Sequence, residues 1–71
     1  MARQPAYRAP EEYPPLVRQI VAAVDGNKSE AARRLRVALP TVLRWLAGTP
    51  PRNGNDRARI EEVARELGLS S

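Results

Sequence analysis

Residues 28–47 read KSEAARRLRVALPTVLRWLA, and the gaps between their apolar members decide the fold. Ala31, Ala32, Leu35, Val37, Val42 and Trp45 fall where two short helices crossing at a steep angle must touch. Ala32 is expected near the crossing point, where a larger side chain would force the helices apart. Leu35 and Val37 bracket a tight turn, and Val42 with Trp45 form an i, i+3 stripe that faces back into a core. This set of gaps predicts a helix-turn-helix, the unit that lays its second helix in the major groove of DNA.

Upstream, Leu16, Ile20 and Val24 recur at i, i+4, i+8 and are joined by Val17 and Val21, which predicts a helix through about Val24. Pro14 and Pro15 suit its first turn, and Asp25-Gly26 ends it. Asn27, with Glu30 three residues on, forms a capping-box-like start for the next helix, which runs to about Leu35. A third helix is expected over Leu39 to Ala47, with Pro40 confined to its first turn and Gly48 as its stop. Thr49 to Gly54 is a Pro/Gly/Asn loop. A fourth helix, capped by Asn55 or Asp56, presents Ile60, Val63, Ala64 and Leu67 to the core and closes at Gly68. The expected fold is all-α, a small bundle of four helices containing a helix-turn-helix. Residues 1–13, holding Pro5 and Pro10, are expected as a flexible arm and residues 14–71 as the folded domain.

Seventy-one residues make one small domain, which buries only about 60% of its extended-chain surface. Such domains lean on disulfides, metals or a partner. The chain has no Cys and no His, so disulfides and the common zinc ligand sets are excluded. No apolar run approaches a membrane span and no signal-peptide core follows Met1, so an intracellular protein is expected, cytoplasmic and nucleoid-associated. No cofactor or small-molecule ligand is expected. An enzyme is disfavoured too, since there is no Gly-rich phosphate loop and the acids are scattered.

The net charge is +4, and its distribution says more than its sum. Residues 1–27 are neutral, residues 60–71 carry −2, and residues 28–59 carry +6 through Lys28, seven arginines, Glu30 and Asp56. Cations concentrated on the helix-turn-helix and its flank suit a polyanionic phosphate backbone. The plainer reading is a set of solvated arginine-rich helices.

The stretch from Lys28 to Leu69 resembles the Cro/cI-type (XRE-like), lambda-repressor-like helix-turn-helix family of bacterial and phage regulators. SEAARRL matches the family's second helix, PTVLRWLAG its recognition helix and RIEEVARELGL the helix that follows. GNKSEAARRL is also similar to the C-terminal domains of nucleoid-associated and enhancer-binding regulators. Two positions depart from the family pattern. Arg36 occupies a turn position usually given to Gly, and Ala38 the helix cap usually given to Ser or Thr.

The resemblance implies a transcriptional regulator, of the repressor kind found in phages and mobile elements, that binds an inverted repeat of double-stranded DNA as a homodimer. Its base-contact residues would be Leu39, Pro40, Thr41, Leu43 and Arg44. Arg44 is the strong hydrogen-bonding reader, with guanine O6/N7 its natural partner, whereas the apolar residues can only pack on thymine methyl groups or sugar. Phosphate contacts are expected from Asn27, Lys28 and Ser29 at a helix N-terminus, from Arg36 leaving the turn, and from Arg52, Asn53 and Arg57 after the recognition helix. Arg3 and Arg8 suit a minor-groove arm or a solubilising tail. Trp45 is expected in the core rather than on a base. The competing reading is a protein-binding adaptor that exposes Leu39, Leu43 and Leu46 as a docking patch.

Overall fold

The computed structural model describes residues 9–69, and among them every regular element is helical. A 3-10 turn at Pro10–Glu12 leads into α1 (Tyr13–Ala23), followed by α2 (Lys28–Leu35), α3 (Leu39–Leu46) and α4 (Gly54–Glu66). The expected four-helix bundle is the observed architecture. No helix among the described residues is long and apolar enough to cross a membrane.

α1 is the central helix and packs against the other three. It contributes Tyr13, Leu16, Val17, Ile20 and Val21 to one core, which Ala31, Ala32 and Leu35 of α2, Val42 and Trp45 of α3, and Ile60, Val63 and Ala64 of α4 complete. Two adjacent buried alanines let α2 approach its neighbours closely, as the sequence spacing requires. α3 packs on α1 and α2 but not on α4, so a gap opens between α3 and the start of α4. Among the described residues the buried side chains are apolar apart from the hydroxyl of Tyr13.

All four helices end in the same way. The N–H two residues beyond the last carbonyl-bonded turn reaches back in a 6→1 bond: Gly26 to Val21, Val37 to Ala32, Thr49 to Arg44 and Leu69 to Ala64, at 2.8–3.2 Å. Each is paired with a 5→2 bond, the Schellman arrangement, which needs a left-handed residue just past the helix. Gly48 and Gly68 supply it at φ 114° and 75°, but Asp25 and Arg36 adopt φ 61° and 58° with a Cβ in place. Arg36 therefore takes the backbone geometry that makes glycine the usual occupant.

Three sequence expectations need correction. The folded body begins before residue 14, because Tyr13 is fully buried and its hydroxyl donates to Glu61 Oε2 at 3.1 Å. Tyr13 lies three residues before Leu16, on the same i, i+3, i+4, i+7 face as Leu16, Val17 and Ile20, so the apolar stripe runs back through the Pro14-Pro15 pair at the helix start. The cap of α4 is Asn53, whose Oδ1 accepts the Asn55 N–H at 2.7 Å, rather than Asn55 or Asp56. The capping box of α2 is half formed. Asn27 Oδ1 accepts the Glu30 N–H at 2.9 Å, but the Asn27 N–H donates to the Val24 carbonyl instead of to Glu30. The Glu30 carboxylate turns to Arg34 at 3.2 Å and Arg33 at 3.8 Å, where a cationic donor is on offer.

Candidate nucleic-acid interface

The α2–α3 pair is joined by Arg36, Val37 and Ala38, and that short connection fixes which face of α3 turns outward. Val37 is half-buried against the core and anchors the turn, while Arg36 and Ala38 on either side are exposed. Ala38 is the N-cap of α3 and has the extended φ, ψ of a cap, −71° and 150°, but no side-chain oxygen; Pro40 has no N–H to offer one, and the Thr41 N–H donates to the Ala38 carbonyl at 3.0 Å. With Val42 and Trp45 buried, Leu39, Pro40, Leu43, Arg44 and Ala47 are left exposed and Thr41 is half-buried. Every expected base-contact residue thus lies on or beside the solvent face of one helix.

The expected phosphate contacts surround that face less evenly. Asn27, Lys28 and Ser29 are exposed at the start of α2, and Arg52 and Asn53 are exposed in the loop before α4. Arg57 is half-buried, and its Nε donates to the Pro51 carbonyl at 3.1 Å. That bond ties the loop to α4 and leaves Arg57 a structural role as well as a charge. Asn27 and Asn53 likewise spend their side-chain oxygens on helix caps, keeping only their amide N–H donors for a ligand. Arg3 and Arg8 lie outside the described residues.

Ion pairing divides the cations further. Arg33 and Arg34 share Glu30 on the outer surface of α2, which matches the solvated-face reading for them. Lys28, Arg36, Arg44 and Arg52 have no hydrogen-bonded or ionic partner among the described residues. Arg59 and Arg65 of α4 likewise have no partner among the described residues, so freedom from partners alone does not single out a face. The distinguishing feature is that Arg36, Arg44 and Arg52 border the exposed side of α3.

Arg44 and Arg52 also line an open cleft of about 390 Å³ in the gap between α3 and α4, together with Thr41, Trp45, Thr49, Asn53 and Asp56. Sequence spacing did not anticipate this cleft, because it arises from the divergence of two helices that do not pack together. Asp56, in the first turn of α4, places a carboxylate among the two guanidinium groups and reduces the attraction of the cleft for anions. The adaptor reading loses one member of its patch. Leu46 is half-buried and packs against the core, leaving Leu39 and Leu43 as the exposed leucines of α3.

Among the described residues there is no cluster of acids suited to hold a metal ion. Compared with protein-family models, with curated proteins and with solved structures, the chain matches none.

Proposed function

We propose that this chain is a sequence-specific double-stranded DNA-binding transcriptional regulator of the Cro/cI-type helix-turn-helix kind. The observation that carries the reading is the exposed Arg44 on the outer face of α3, with exposed Arg36 in the turn before that helix and Arg52 lining the adjoining cleft, none of the three paired among the described residues. A guanidinium on the solvent face of a helix matches the bidentate acceptor pair of guanine in the major groove. Free cations around it are what phosphate binding by counterion release requires. Lys28 and the free N–H groups at the start of α2 add a second backbone contact.

In this reading the regulator represses a phage or mobile-element promoter and works as a homodimer. Two-fold symmetry would set its α3 helices on half-sites about 34 Å apart. The adaptor alternative rests on the exposure of Leu39 and Leu43, and it leaves the arginines beside them without a purpose.

Titration against random-sequence duplex at about 50 and about 200 mM salt separates the two. Affinity that falls steeply over that range supports DNA binding. No binding at either salt concentration rejects it in favour of the adaptor.

A further inference from the structure

Among the described residues, the exposed large hydrophobic side chains are Leu39 at 37% and Leu43 at 44%, both on α3. Four residues apart, they share one row of the helix, which Ala47 extends. The adjacent row holds Pro40 and Arg44, also exposed. Arg36, exposed in the α2–α3 turn three residues before Leu39, has no ionic partner among the described residues. An apolar row edged by free guanidinium groups calls for an occupant that is anionic overall yet offers small apolar projections. A purely apolar protein partner would desolvate both arginines without compensation. The major groove fits, because its one apolar feature is the C5-methyl group of a pyrimidine.

We propose that Leu39 and Leu43 read pyrimidine C5-methyl groups beside the guanine contact of Arg44, so that the protein prefers thymine or 5-methylcytosine to uracil or cytosine at those positions. The proposal rests on the DNA-binding reading and deepens it. Burying one methyl group is worth about fourfold in affinity, from ~0.8 kcal/mol per carbon.

The test begins with duplexes selected by the full-length chain from a random library. Each is resynthesised with deoxyuridine replacing single thymidines, and separately with 5-methylcytosine replacing single cytosines, and Kd is measured by calorimetry. Removal of a thymine methyl should weaken binding about three- to fivefold at one or two positions per half-site. A gain of similar size on cytosine methylation would assign the modified base as a source of the methyl. Leu39→Ala or Leu43→Ala should abolish the methyl dependence at one position while the fold, to which these exposed side chains add little, stays intact by circular dichroism. Equal affinity for all versions of the selected duplexes would overturn methyl reading and leave DNA binding standing. Failure to bind any duplex at about 50 mM salt would overturn DNA binding itself. If the chain then sediments as a dimer that Leu43→Asp returns to monomer, the leucines belong to a protein interface.

Discussion

Arg36 has two jobs at one position. Its backbone closes α2 in the left-handed region at φ 58°, and its side chain leaves the turn as a free cation beside α3. Glycine would do the first job better and the second not at all. Arg36→Gly is therefore expected to stabilise the fold by about 1 kcal/mol in urea unfolding, since the left-handed conformation no longer strains a Cβ. The same variant should lose affinity for every duplex alike. Arg44 is the opposite case, with helical backbone and a side chain directed to solvent. Arg44→Ala should cost about 1–3 kcal/mol of specific affinity and relax preference at one base pair. Equal losses on specific and random duplex would remove Arg44 from base reading.

At the scale of elements, the Schellman endings explain how helices of eight residues persist in so small a body. Isolated helices this short are marginal in water, and satisfied carbonyls at every C-terminus offset part of that deficit. The N-termini are less uniform. α2 and α4 have asparagine caps, while α3 begins at Ala38 with cap geometry and no capping group. Ala38→Ser should raise stability by about 1 kcal/mol, read as a higher urea midpoint at unchanged slope. An unchanged midpoint would mean that the Thr41 N–H, already bonded to the Ala38 carbonyl at 3.0 Å, gains nothing from a side-chain acceptor.

The elements themselves were largely legible, because apolar spacing and the Asp-Gly, Gly48 and Gly68 stops are local signals. The buried Tyr13 lies on the i, i+3, i+4, i+7 face with Leu16, Val17 and Ile20, a local signal that Pro14-Pro15 at the helix start obscured, whereas its partner Glu61 lies 48 residues away and no local pattern links the two. The cleft between α3 and α4 was hidden for a similar reason. It depends on which helices fail to pack together, whereas the exposure of Arg44 follows directly from the buried positions of Val42 and Trp45.

Over the whole molecule, the balance between one apolar core and an unevenly charged surface governs both stability and binding. The +6 charge of residues 28–59 sits on α2, α3, the following loop and the start of α4, while the last twelve residues are net acidic. Binding to DNA should accordingly be oriented as well as strong at low salt. Arg52→Ala should weaken binding to all sequences and lower the slope of log K against log salt by about one unit. A slope equal to that of the parent protein would exclude Arg52 from phosphate contact.

Trp45 links the two sides of this balance. It is the single tryptophan, it is 4% exposed in the core, and its edge lines the cleft beside Arg44 and Arg52. The indole is consequently a built-in optical probe with two distinguishable signals. Unfolding should shift its emission to the red as water reaches the ring. A duplex filling the cleft should change the emission intensity without that shift, and a silent titration would mean that bound DNA keeps away from this side of α3.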